Sequence, residues 1–598
     1  MAGFSFLPMF PEEVARRGWD GLDVLLVSGD AYVDHPSYGM ALIGRLLESR
    51  GYRVGIIARP DWRSNKDFSR LGCPRLCALV SGGNVDSMVA NYTANKRLRR
   101  DDAYGASGMS DGRPDRASIV YTSRLRACFK GLPVILGGIE ASLRRLAHYD
   151  YWDNAVRRSL LVDAKADMIV YGMAELSLVE VVSRLDRGES IADIQDVRGT
   201  VVFVRNTGAL PEVQELPSFE QVSSDQVAFN AAFTLAYRHM TSGAGVALIQ
   251  RHADRVVMQL PPARPLTTAE LDASYELPYV RNWHPYYDQF GGVRGLETVR
   301  WSLTAVRGCS GECSFCGLAM HQGRIIQSRS ERSLVEEARR LTKDPAFRGT
   351  ISDVGGPTAN LYGADCRLWD KSGPCAKRQC LMPEKCPSLE TGYAKALSLY
   401  RALRRLPGVK HVFVASGLRY DLLMRPEAET YFRELCEYHV SGQLKVAPEH
   451  ASDPVLRLMN KPPYSAYEEF VRRFERINRG LKSRKYLVNY FISAHPGCGL
   501  NEAVACADAL AVRHMRPEQV QDFIPLPMTV AGCMYHTGRH PFTGEKIYVP
   551  KEPLERDMQR ALFQPQNAGS ASLVQKAMRI IGREPAKQKV AKMRRPGR

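Results

Sequence analysis

The chain has no uninterrupted apolar stretch near the ~18 residues needed to cross a bilayer, so membrane insertion is not expected. Its first residues, Met-Ala-Gly-Phe-Ser-Phe-Leu-Pro, carry neither the basic segment nor the apolar run of a secretory signal. A cytoplasmic location is therefore expected. In that reducing compartment the fourteen cysteines are thiols or metal ligands, not disulfides. No internal repeat is evident, which argues against solenoids and propellers. Dense charge blocks are also scarce. The formal charge of +18 comes from 82 Lys plus Arg against 64 Asp plus Glu, but only Lys96 to Arg100 and the tail from Lys587 to Arg598 are clustered. So dispersed an excess is weak support for a polyanion-binding surface, and RNA is kept as one candidate substrate.

What is present belongs to a folded protein. At 598 residues, 44% apolar and 24% charged, two or three domains are expected. Asp23 to Ser28 (DVLLVS), helical spacing over Gly39 to Ser49, and Arg53 to Ala58 (RVGIIA) form a strand, helix, strand unit. Further apolar runs at Ala78 to Val80, Pro133 to Leu136 and Met168 to Tyr171 point to a Rossmann-like, doubly wound parallel sheet over residues 1–190. A connector over 191–290 holds strands at Gly199 to Val204 and Arg255 to Leu260, which extend the sheet or form a small bridging layer. Asp101 to Ser118, rich in glycine and charge, reads as a long loop, disordered rather than a lid.

From Trp301, strands at Ser302 to Val306, Thr350 to Val354, His411 to Ala415, Gln443 to Ala447, Leu487 to Ile492 and Gln519 to Ile524 alternate with amphipathic helices such as Ser330 to Leu341, Leu389 to Leu403 and Tyr467 to Leu481. Six such units over 291–528 make an open, partial (βα)6 barrel. Residues 529–598 form a C-terminal extension with helical spacing at Glu555 to Leu562 and Ala571 to Ile581 and a partly disordered basic tail.

Cys309, Cys313 and Cys316 make a C-x3-C-x2-C pattern on a glycine-bearing loop directly after the first barrel strand, on the face where such barrels place their chemistry. Three thiolates can hold three irons of a [4Fe-4S] cube and leave the fourth open to an exogenous ligand. Phe315 suits a wall that shields such a cluster. Two other readings stand beside this one: a structural zinc site with His321 as fourth ligand, and free core thiols, which a polar glycine loop accommodates poorly.

The loop resembles the defining motif of the radical S-adenosylmethionine (SAM) superfamily. Gly18-Trp-Asp, Gly29 to Gly39 (GDAYVDHPSYG), Gly137 to Ala141 (GGIEA), Val354 to Asn360 (VGGPTAN) and Val446 to His450 (VAPEH) together resemble the YgiQ-type radical SAM proteins. That resemblance implies an N-terminal domain ahead of a radical SAM barrel, a C-terminal extension of unassigned role, a [4Fe-4S] cluster held by Cys309, Cys313 and Cys316, and SAM on the open iron. Reductive SAM cleavage needs an electron donor of flavodoxin or ferredoxin type. It also implies that Gly355 and Gly356 are the glycine-rich contact to the amino end of SAM, although a plain turn explains them as well.

Four other groups are singled out. Cys366, Cys375, Cys380 and Cys386 form a four-thiol set suited to a second Fe-S cluster or zinc, with reduced structural thiols as the alternative. Ser416 and Glu449 follow strand ends on the same face and are candidate contacts to ribose or substrate. Gly137 and Gly138, with Glu140 in the first helical turn, form a weak anion cradle, or simply a stable helix start. His35 follows the first strand, but the D-x-H-x-x-G pattern of cobalamin modules is missing because Asp34 and His35 are adjacent, so cobalamin is not expected. The rival from another class is a zinc-containing RNA-binding protein with both cysteine sets structural.

Overall fold

A computed structural model describes residues 5–110, 112–204, 213–240, 245–375 and 378–583. Its largest layer is a nine-stranded sheet. The strands are β1 Val24–Ser28, β2 Val54–Ala58, β3 Cys77–Ser81, β4 Val134–Gly137, β5 Met168–Val170, β6 Thr200–Val204, β7 Val213–Glu215, β8 Ala247–His252 and β9 Arg255–Gln259. They lie in the order β7-β8-β9-β6-β5-β4-β3-β1-β2. Strands β1 to β5 are mutually parallel, with Leu26 beside both Ile56 and Leu79.

Apolar residues at the first four positions of β1, with Ser28 buried at its end, explain this. Val24 and Leu26 enter one core while Leu25 and Val27 enter another, so both faces of the sheet are covered, as parallel sheets require. The same sheet takes in strands on both sides of position 190. There it stops being parallel: β6 pairs antiparallel with β5, β9 with β6 and β8 with β9. The doubly wound parallel expectation thus holds for five strands. The strand β8, absent from the sequence reading, completes a hairpin with β9 across Ala253 and Asp254.

The stretch Asp101 to Ser118 is not the disordered loop expected. Apart from residue 111 it is described and folded inward, and Ala117 opens a helix, Ala117–Cys128. Its charges pair with residues just past the carboxyl ends of β1 and β2 and with one another: Arg113 reaches Asp30 at 2.6 Å and Asp102 at 3.1 Å, and Arg59 reaches Asp102 at 2.9 Å. Burial pushes the Asp30 carboxyl up to about 6, against the pull of Arg113.

In the second half, β10 Ser302–Thr304 pairs parallel with β12 Asp353–Gly355, and β11 Thr350–Ile351, just before it, with β13 His411–Val412. A parallel bridge from Leu418 to Val446 leads on to β14 Gln443–Glu449, which pairs with β15 Tyr486–Ser493, and that with β16 Gln519–Asp522. Neighbours in sequence are thus neighbours in space. Leu303, Val354, Val412, Leu444, Phe491 and Val520 share one core with helices Glu331–Leu341, Tyr393–Arg404 and Tyr464–Gly480.

After Thr529 three helices follow, Val530–Thr537, Pro553–Phe563 and Ser570–Ile580. The last two match the expected spacing. The first is capped by Thr529 Oγ1, which accepts from Gly532 N, and is buried almost throughout, so it shows no amphipathic period to read. The basic tail from Lys587, expected to be disordered, lies outside the described residues. No described helix is long and apolar enough to cross a membrane.

Candidate metal and cofactor site

A two-residue antiparallel ladder, Val306–Arg307 against Gln327–Ser328, pinches off the loop that carries Cys309, Cys313 and Cys316. Gly308, at φ +82, permits the turn, and a Cβ there would collide with the carbonyl oxygen of Ile325. The backbone beyond it is tied on several sides. Cys309 N donates to Gly323 O at 3.1 Å, Ser314 N to Met459 O at 3.0 Å, and Ala531 N to Ser314 O at 2.8 Å. Asn460 Nδ2 donates to Glu312 O at 2.9 Å. Ala531 belongs to the C-terminal extension, so that segment buttresses the cysteine loop directly.

Side chains add to the brace. Glu312, buried and at φ +45, accepts from Tyr237 Oη at 3.0 Å and pairs with Arg324 at 2.8 Å. A buried ion pair of this kind is costly to break. Arg324 also donates to the carbonyls of Cys375 at 3.1 Å and Arg378 at 3.2 Å. One guanidinium therefore ties both cysteine loops together.

The three thiols are partly exposed and carry no disulfide. Gly311 N donates to Cys309 Sγ at 3.4 Å, and Thr358 Oγ1 lies 3.5 Å from the same sulfur. Burial pushes the Cys313 thiol up, opposed by Lys461 and Arg419. Cys316 is pushed up to about 12, first by burial and then by Cys313. A Cβ built on Gly311 would lie 3.3 Å from Cys309 Sγ, 3.4 Å from Arg419 Nη1 and 4.0 Å from Cys313 Sγ. The space a side chain would fill is thus walled by two sulfurs and a guanidinium. Arg419 is buried, and its Nη1 has no hydrogen-bond partner. An orphaned cationic donor beside thiols fits a sulfur-rich, negatively charged group.

Among the described residues no three His, Cys, Asp or Glu side chains are gathered closely enough to hold one metal ion. Ligands of a cubane bind separate irons and need not converge on a point. The zinc reading required His321 as fourth ligand, but its partly buried ring faces the helix Gly138–Leu143, where Nδ1 lies 2.9 Å from Ser142 Oγ.

The other expected residues fall as follows. Gly355 and Gly356 have no room for a side chain, because a Cβ would strike Ser416 Oγ on the first and Val306 O on the second. Ser416 Oγ donates to Asp353 Oδ2 and its amide to Asp353 Oδ1, so its hydroxyl holds a strand end. Glu449 stands at a register shift between β14 and β15, at φ +69, with Lys461 3.7 Å away. Burial raises its carboxyl against the pull of Lys461, and its charge is felt at Cys313 and Cys316. Cys366 and Cys380 are buried, while Cys375 and Cys386 are partly exposed. Burial pushes Cys380 up to about 11, with Cys375 and Cys366 adding to the rise.

Glu140 is satisfied by Ser87 N at 2.7 Å and Ser118 N at 3.1 Å, the ligand-free outcome. His35 is buried and accepts from Ser37 N at 3.1 Å. Gly137 and Gly138 line a cavity of about 490 Å³ together with Asp30, Glu175, His321 and Gly356. It lies where the carboxyl ends of β1, β3 and β4 face the cysteine-loop half, the usual ligand position of an open parallel sheet.

Sequence reasoning missed Arg419, Glu312, Arg324, Thr358 and Asn360. The signal lay in VGGPTAN, whose Thr358 meets Cys309 and whose Asn360 clamps the Arg419 backbone, accepting from its N and donating to its O, both at 2.9 Å.

The Radical SAM N-terminal family matches residues 6–302, and a domain of unknown function (DUF3362) matches residues 518–586. A UPF0313 protein of Methanocella arvoryzae is 52% identical over 95% of this chain and 94% of its own length. One from Clostridium botulinum is 47% identical over 98% of this chain and 90% of its own. Among solved structures, the radical SAM methyltransferase TsrM from Kitasatospora setae, with tryptophan substrate and a SAM analog bound, gives a TM-score of 0.48 at 15% identity, covering 85% of this chain and 75% of that one. With half its sequence shared with such relatives end to end, the chain belongs to the UPF0313 family, the YgiQ-type radical SAM proteins.

Proposed function

We propose that the protein is a radical SAM enzyme whose (βα)6 arc over residues 291–528 carries the reaction and whose first sheet closes over the substrate. The single observation behind this is the Cys309, Cys313, Cys316 loop set beside a buried arginine with an unused N–H. With a [4Fe-4S] cluster and SAM bound, the site supplies one-electron reductive cleavage of SAM, the start of radical chemistry.

The chain's own residues do the holding. Cys309, Cys313 and Cys316 ligate the cluster. Phe315, edge-on to His495 with ring centres 6.1 Å apart, helps exclude water. Gly355 and Gly356 keep the strand end thin where SAM approaches. Glu449 presents a buried carboxylate to the same space, held by Lys461. The substrate enters the cavity beside Gly356, whose volume falls within the range of roughly 300–1,000 Å³ typical of small-molecule sites. Cys366, Cys375, Cys380 and Cys386 hold a second Fe-S cluster or zinc, joined to the first loop through Arg324. A flavodoxin- or ferredoxin-like donor delivers the electron.

Colour tests this first. Anaerobically purified protein is expected to be brown, with charge-transfer absorption that dithionite bleaches. Colourless protein carrying stoichiometric zinc contradicts the proposal and favours a zinc-containing RNA-binding protein.

A further inference from the structure

Arg419 is bound along one edge only. Its Nε and Nη2 donate to the two carboxylate oxygens of Asp421, each at 2.8 Å, which fixes the plane of the guanidinium. Its backbone is clamped by Asn360, and Met382 Sδ, from the loop of the second cysteine set, lies 3.9 Å from Nη2. None of these contacts uses Nη1. That nitrogen is buried and unpartnered at the wall of the gap left by Gly311, which the Cys309 and Cys313 sulfurs also line. Leaving a buried charged donor unsatisfied costs more than an ordinary hydrogen bond returns, so an acceptor in this gap would be favoured. Lys461, the other buried cation near these thiols, is engaged by Glu449 and lies over the Tyr420 ring.

We infer that Arg419 is a positioning residue whose Nη1–H donates to a sulfur of the cluster or of its thiolate ligands and makes the cluster easier to reduce. The inference rests on the proposed radical SAM reading. One electron from a low-potential donor adds one negative charge to the cluster. A fixed cation and an N–H directed at sulfur both favour that more negative state.

The test is an EPR-monitored redox titration of the full-length, anaerobically reconstituted parent, Arg419→Gln and Arg419→Lys, with iron content and apo-protein melting measured in parallel. At the potential where the parent is half reduced, the reduced-to-oxidised ratio in Arg419→Gln is expected to fall about tenfold, equivalent to about 59 mV for one electron. Arg419→Lys, which keeps the charge and loses the planar fork, is expected to fall between. If both variants fold like the parent and lose the cluster, the donor holds it as well, which supports the inference. An unshifted potential in a loaded Arg419→Gln overturns it. A parent that takes up no cluster instead defeats the proposed function itself, so the two failures are distinct.

Discussion

The two cysteine loops begin alike and are held differently. Each is pinched at its base, one by the ladder of Val306–Arg307 with Gln327–Ser328, the other by Asp365 pairing with Glu390. Above the base the first loop is tied by Met459, Asn460, Ala531, Tyr237 and Arg324, which come from well-separated parts of the chain. The second, in its described part, leans on Arg324, on the contact of Met382 with Arg419 and on its own turns, Cys386 N to Cys380 O and Lys385 Nζ to Leu389 O. Rigidity supplied from several elements at once is what a site that must keep one ligand position open needs. A closed set of four thiols can be ordered by the metal it binds. On the proposed reading, the difference suits the first loop to redox chemistry and the second to bracing or relay.

Breaking the shared tie is expected to have the largest effect on that comparison. Glu312→Gln leaves Arg324 buried without its counter-ion, at a cost of about 3–5 kcal/mol in chemical denaturation, and lowers metal content at both loops. Equal stability to the parent would make the tie incidental. Cys380→Ser separates the loops: metal per chain is expected to fall while the EPR signal of the first cluster persists. Loss of both signals would mean that the two sites assemble as one.

A smaller effect concerns pH. In apo-protein, burial holds the Cys316 thiol protonated up to about 12, above its ordinary value of 9.0. A raised pKa adds stability that is complete below 9.0 and fades as pH rises toward 12. Apo-protein should thus lose up to about 1.4 kcal/mol per pH unit above the ordinary thiol value relative to Cys316→Ala. Parallel curves would refute the burial argument. The smallest change is expected from Ser416→Ala, which removes one hydrogen bond to Asp353 and costs about 1 kcal/mol while leaving the KM for SAM unchanged.

Much of this was legible in the sequence because apolar runs mark buried strands directly. All six strand positions expected between Ser302 and Ile524, and the run at β1, were read within a few residues. The antiparallel turn at β6 was not, since a short apolar strand carries no sign of its direction. Asp101 to Ser118 looked disordered because it is rich in glycine and charge and has no hydrophobic period, whereas Arg113 is spent on both Asp102 and Asp30. The thiols of the candidate site were singled out from their spacing and from the loop's place after a strand. Arg419 and Glu312 were not, because their roles depend on contacts across 108 and 12 residues of chain, to Gly311 and Arg324, that no local pattern encodes.

The most direct measurement is anaerobic incubation with SAM and dithionite, assaying 5′-deoxyadenosine in the parent and in Cys309→Ala, Cys313→Ala and Cys316→Ala. The account predicts product from the parent and background from all three variants. Equal product from all four proteins would contradict it.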